Sequence, residues 1–212
     1  MQHTLFSRAR RVFLPAIVLL AGCSNANNPY AKIEDGPLTR GILHTVTLVT
    51  DGPALAGQIQ QSGYAPLALA PNYQAAIRVE SVVWSVPEDV AAKVAMFKGA
   101  AGAPDLRVLV MPLPAAPAAA DAATVRDFYR NVIGVDVPAW PANVARADNV
   151  RVHAWTYLVP DILDVKRKLR AHAIAALTEP VGITSTYLGS ESVMSLRAPD
   201  GAVIELVQAA AQ

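Results

Sequence analysis

The chain has one cysteine, Cys23, in 212 residues, so no disulfide can form within it and the fold depends on its buried apolar core. Charge is scarce and evenly split, with 18 Lys and Arg against 17 Asp and Glu, a net of +1. Outside the extreme N-terminus basic residues cluster only in the short "KRKLR" at 166–170, too little against the even charge balance to draw nucleic acid as a partner. The chain also lacks a G-x-S-x-G elbow, a P-loop and an H-E-x-x-H pair, and "GAAGAP" at 99–104 has no helix behind it to make a phosphate loop. What is abundant is apolar: 53% hydrophobic against 17% charged residues describes a folded, core-forming protein.

Arg8, Arg10 and Arg11 form a cationic flank, followed by "VFLPAIVLLAG", an apolar run too short for a comfortable membrane span. It leads directly to Cys23, and "LAGC", Leu20 to Cys23, resembles the lipobox of bacterial lipoproteins. That resemblance implies a signal peptide over 1–22 and a lipid anchor on Cys23. Ser24 resembles the residue that follows the cysteine in lipoproteins sent to the outer membrane, so the expected location is the bacterial cell envelope, facing the periplasm. Residues 23–41 are rich in Asn, Gly and Pro and read as a flexible tether, with the folded part starting near Ile42.

An internal repeat follows. At an offset of 110, "HTVTLVTDGPALAGQIQQSGYAPLAL" lies over "AWTYLVPDILDVKRKLRAHAIAALTE", each a strand, an aspartate placed to cap a helix, then apolar residues at helical spacing. The copies also end alike, with "APDLRVLVMP" at 103–112 over "APDGAVIELVQ" at 198–208. Between these ends, "IRVESVVWSV" and "KVAMFKGA" in the first copy and "AALTEPVGI" and "ESVMSLRA" in the second read as extended, with "PEDVAAKV" a candidate helical turn. The order β-α-β-β-β fits both copies, as module 1 over about 42–113 and module 2 over about 150–208. Residues 115–149 read as an insertion containing one amphipathic helix, "ATVRDFYRNVIG", with Gly134 at its C-cap.

The duplicated pattern, and above all "LRAPDGAVIELVQ" at 196–208, resembles the vicinal-oxygen-chelate superfamily of glyoxalase I, bleomycin-resistance and fosfomycin-resistance proteins and extradiol dioxygenases. The resemblance implies an α+β fold in which two βαβββ modules form a cupped mixed sheet around a cleft, with helices outside. It also implies a small-molecule ligand, admits a homodimer, and leaves open a metal-dependent lyase, isomerase or dioxygenase.

In metal-dependent members the ligands come from the first and last strands of each module. Carried over, these positions are His44, Leu109, Ala154 and Glu205, of which only His44 and Glu205 can bind a metal such as Fe, Mn, Ni or Zn. His153 is one residue from the ligand position, and strand alternation turns it away unless a β-bulge re-aims it. His172, among Lys166, Arg167, Lys168 and Arg170, reads as a solvated face. Trp84, Trp155, Tyr157 and Tyr187 are candidate aromatic walls of a pocket. Glu205, in the buried strand "VIELV", has two readings. It is a member of a polar or metal-bearing site in the cleft, or it is a carboxylate paired with an arginine or facing solvent.

Overall fold

The computed structural model describes residues 28–209 apart from 32, 34–35, 40, 70–73, 101, 116–117, 119, 142–143, 145–147 and 186–188. Residues 1–22, read above as a signal peptide, Cys23 and Tyr187 therefore lie outside the described residues.

Eight strands form one mixed sheet. Module 1 supplies β1 (Leu43–Thr50), β2 (Ala65–Leu67), β3 (Val94–Lys98) and β4 (Asp105–Val110), and module 2 supplies β5 (Val150–Leu158), β6 (Val181–Ser185), β7 (Gly189–Arg197) and β8 (Val203–Ala209). The sheet order is β2-β3-β4-β1-β5-β8-β7-β6. In each module the first strand pairs in parallel with the last, β1 with β4 and β5 with β8, and the two first strands meet antiparallel in the middle. This is the α+β, twofold βαβββ arrangement expected from the repeat.

Strand alternation sends two sets of side chains to opposite faces. Val46, Leu48, Leu106, Val108, Trp155, Tyr157, Ile204 and Leu206 point outward, into a core closed by three helical elements. These are α1 (Ala54–Gln61), α4 (Ala122–Asp127), which runs on as a π-helical turn over Phe128–Ile133, and α5 (Ile162–Ala171). Asp161 caps α5, accepting from the amides of Leu163 and Asp164 at 2.9 and 3.2 Å. Its counterpart Asp51 is not the cap of α1, which begins three residues later, after Pro53, without a side-chain cap.

The opposite face is covered by α2 (Gln74–Trp84) and the short α3 (Glu88–Ala91). Ala76, Ile77, Val79, Val83 and Trp84 of α2 pack with Val49, Leu109, Ala154 and Val203 of the sheet. This corrects two expectations. "IRVESVVWSV" is helical, because Ile77, Glu80, Val83 and Trp84 recur at helical spacing and bury one face, while Arg78 and Val82 stay in solvent. And the helices are not all outside, since α2 lies over the face on which the cleft was expected. "PEDVAAKV" does contain the short helical turn, as α3.

The insertion is part of the outer core rather than an appendage. Phe128, Tyr129, Val132 and Ile133 are buried there, and the π-turn ends on Gly134 at φ 94°, where an added Cβ would sit 2.6 Å from Cβ of Pro37. The supposed tether also folds. Asn28 donates to Asp127 at 2.9 Å, Asn131 donates to the Tyr30 carbonyl at 2.6 Å, the Tyr30 ring meets Phe128 edge-on, and Leu38 and Thr39 are buried. Among the described residues the folded part thus includes the segment from Asn28 to Thr39 and does not start near Ile42, because the insertion helix gives that segment an apolar surface to cover.

Candidate functional site

Where the two modules meet beneath α2, the inward positions of four strands are polar: Thr47 on β1, Arg107 on β4, Thr156 on β5 and Glu205 on β8. Thr47 is the parallel partner of Arg107, and Thr156 of Glu205, so each module offers one hydroxyl and one charge. The sheet brings the charges together. Nη2 of Arg107 donates to both carboxylate oxygens of Glu205, at 2.7 and 2.6 Å, and the Thr156 hydroxyl donates to Oε2 at 2.8 Å. Nε of Arg107 donates to Oγ1 of Thr47 at 2.8 Å, and Nη1 bonds to the carboxylate of Glu80 on α2. The Trp84 indole donates to the other oxygen of Glu80 at 2.5 Å.

All these charged groups are at least nine-tenths buried, Arg107 being 8% exposed, Glu80 6% and Glu205 4%. Two carboxylates share one guanidinium, and the Glu80 carboxyl is pushed up to about 7, first by burial and then by the nearby Glu205, against the pull of Arg107 and Trp84. The carboxylate of Glu205 is tolerated in "VIELV" because Arg107 neutralises it in place. Ser195 on β7 lies opposite Glu205 in the register, and its Oγ is buried with no hydrogen-bond partner among the described residues.

This polar set does not fit a divalent metal. Both oxygens of Glu205 are engaged by protein donors, and a guanidinium, a fixed positive charge, occupies the base of the site. The inherited positions Leu109 and Ala154 sit in the apolar layer under α2. No group of three or more His, Cys, Asp or Glu arranged to hold a metal occurs among the described residues.

The histidines are placed by bulges. Leu43 pairs with Tyr157 and Thr45 with Thr156, leaving His44 as an extra residue, and since Leu43 and Val46 both pack outward, His44 and Thr45 share the α2 face. There burial lowers the pKa of His44, with Asp105 opposing and Lys98 and Arg107 assisting. A second bulge falls on His153, because Thr47 pairs with Ala154 and Leu48 with Val152. His153 is thereby turned to the α2 face, correcting its placement outside, and its ring stacks on Trp84 at a centroid distance of 4.7 Å. His172 is not on a solvated face. It is half-buried and lines a small internal gap with Ile33, Leu38 and Val132.

Of the aromatic candidates, Trp84 belongs to the covering helix rather than to a wall. Tyr157 and Trp155 face the outer core, at 2% and 5% exposure. Trp155 also borders an open hollow of about 180 Å³ at the end of β5, with Pro114, Arg151, His153 and Asp200. The residues that sequence reasoning missed are Arg107, Glu80, Thr47 and Thr156. Arg107 carried the same signal as Glu205, a charge at a buried position of an apolar strand, "LRVLV".

No family model and no curated protein matches the chain. Among solved structures it is similar to methylmalonyl-CoA epimerase from Mycobacterium tuberculosis, at 14% identity and a TM-score of 0.46 over 82% of this chain and 91% of that one. It is similar also to the Streptomyces coelicolor methylmalonyl-CoA epimerase, at 16% identity and a TM-score of 0.43 over 82% and 99% of the two chains. A hypothetical protein from Bacillus halodurans shares 11% identity at a TM-score of 0.44 over 81% and 96%.

Proposed function

We propose that this protein is a membrane-anchored member of the vicinal-oxygen-chelate type that works without a metal, as a binding module of the bacterial envelope rather than as a metal-dependent enzyme. The duplicated βαβββ topology supports the type, and the "LAGC" segment supports a lipid on Cys23 and an outer-membrane location facing the periplasm. The single observation that carries the metal-free reading is Arg107, whose guanidinium ties Glu205 to Glu80 where a cation would need ligands. A divalent ion there would face a fixed positive charge in a site of low dielectric, which costs more than the remaining oxygens return.

The test is the metal content of the purified mature domain without its lipid. No stoichiometric Fe, Mn, Ni or Zn is expected, and Glu205→Gln and His44→Ala should leave the response of thermal unfolding to added metal unchanged. One metal per chain, lost in either variant, would overturn the reading.

A second reading is favoured by Ser195. Its unpartnered hydroxyl is a polar group on the α2 face with capacity to spare, as expected if α2 yields to a small molecule such as an antibiotic. A thermal-shift screen of small oxygen-rich compounds tests it. Hits abolished by Ser195→Ala support a ligand beneath α2, and an absence of hits leaves the closed module.

A further inference from the structure

We propose that the hollow beside the start of β5 is a binding site for a free α-amino acid with an apolar side chain. None of Arg107, Glu205 and Ser195 lines it, so the site goes beyond the polar set beneath α2 and depends neither on the metal-free reading nor on a lipid anchor.

The hollow follows from an offset in the sheet. β5 starts at Val150, yet its pairing with β8 starts only where Ala154 meets Val203. Before that point Asp200, Gly201 and Ala202 of the turn and Arg151, Val152 and His153 of the strand line a space of about 180 Å³, together with Pro114, Ala115 and Trp155. Sites for drug-sized ligands run to roughly 300–1,000 Å³, so this one takes a molecule of amino-acid size. A wider hollow of about 450 Å³ continues past Arg151 and Val152 to Trp140 and Pro138, with room for a side chain as large as that of leucine or phenylalanine.

Two opposite charges line this hollow without meeting. Nη1 of Arg151 donates to the Asp148 carbonyl at 3.0 Å, while Asp200 accepts from the Tyr129 hydroxyl at 3.1 Å and from the Ala202 amide at 3.2 Å. These bonds orient both groups and neutralise neither. Among the described residues Arg78, Arg107, Arg126, Arg130, Arg167 and Arg170 each pair with a carboxylate. The two exceptions lie together: Arg151 lines the hollow, and Arg197 donates to the Gly201 carbonyl of its turn at 3.1 Å. His153 adds no charge at neutral pH, since burial and then Arg197 lower it to about 4. A free amino acid is the complement of this pair. Its carboxylate accepts from Arg151, its ammonium donates to Asp200, and its side chain lies along Val152 and the edge of Trp155. A ligand of single charge would meet repulsion from one of the two groups, which selects against it.

The test is calorimetric titration of the full chain in detergent with L-leucine and L-phenylalanine. Each is compared with its amide, which lacks the carboxylate, and with the matching acid that lacks the amine. At least one of the amino acids should bind, and its two analogues should bind about tenfold more weakly or worse. Arg151→Gln should weaken the amino acid to the level of its amide while leaving the amide's own affinity unchanged, a pattern that damage to the fold does not produce. Asp200→Asn should act in the same way on the amino acid against the acid. No binding of either amino acid up to about 10 mM, or equal affinity for amino acid and analogues, overturns the proposal. Binding that is lost in Ser195→Ala and kept in Arg151→Gln puts the ligand beneath α2 instead, and overturns this site while supporting that one.

Discussion

The two modules share one topology and differ in what joins their second and third strands. In module 2, β6 ends at Ser185 and β7 begins at Gly189, whereas in module 1 the path from Leu67 to Val94 carries α2 and α3. One module therefore supplies a cover for the face that both create. The modules differ again at the base of that face, where matched last strands carry opposite charges, Arg107 in one and Glu205 in the other. Duplication made two equivalent positions, and divergence turned them into the halves of an ion pair that reads across the pseudo-symmetry axis. The cover is then fastened to that pair through Glu80.

The sharpest break in this arrangement is Arg107→Leu. It strands two carboxylates to which no other cation among the described residues is bonded, and removing one partner of a buried pair costs about 3–5 kcal/mol. Urea unfolding should show a loss of that order, or no folded domain. The companion variant with Arg107, Glu80 and Glu205 all changed to Leu or Met should recover most of the loss, because buried ion triads are often replaceable by packed apolar groups. If the single variant proves as stable as the wild type, the ion pair is not what joins the modules.

Much of this was readable in advance for a physical reason. Strand periodicity and the Pro-Asp turns before β4 and β8 are local signals, so the repeat and the parallel pairing of first and last strands followed from them. Glu205 announced itself as a buried charge, and an arginine partner was one of its two readings. Its identity was hidden because Arg107 is 98 positions away, and which inward residues become neighbours depends on register, not on spacing. Bulges were the other blind spot. His44 and His153 each occupy the extra residue of a bulge, and alternation alone assigned His153 to the wrong face. The helix α2 was missed because "IRVESVVW" is rich in β-branched residues, and burial of one face against the sheet overrode that propensity.

A smaller effect separates the two carboxylates by pH. The Glu80 carboxyl in the folded chain is raised from 4.5 to about 7, so the fold binds a proton that the unfolded chain has already released. Its contribution favours the folded state below about 4.5, declines as pH rises, and is lost once pH passes about 7. Glu80→Gln keeps a neutral hydrogen-bonding amide there. The wild type should therefore lose stability relative to this variant between pH 5 and pH 8 in urea titrations. At pH 7 Glu205→Gln should cost more than Glu80→Gln, about 1–3 kcal/mol, since it removes the charge that answers Arg107 directly. The same cost for both would mean that α2 is fastened as firmly as the modules are to each other.

The smallest effect expected comes from the other contact of α2, and it runs the opposite way. Burial lowers His153 from 6.5 to about 4, with Arg197 adding to the shift, so the unfolded chain takes up a proton sooner than the folded one. Its contribution is present above 6.5 and is lost as pH falls towards 4. His153→Phe retains a ring to stack on Trp84 but cannot titrate, so it should resist acid between pH 6.5 and 4 better than the wild type while matching it at pH 8. The gain should be modest because His153 is only half-buried and partly screened by water. The two ranges overlap between about pH 4.5 and 6.5, where Glu80 weakens the contact of α2 with the sheet as pH rises and His153 strengthens it. Glu80→Gln and His153→Phe should accordingly tilt the pH dependence of unfolding in opposite directions over that range, the double variant should lie between the two, and profiles unchanged by either single variant would place the titrating groups elsewhere than beneath α2.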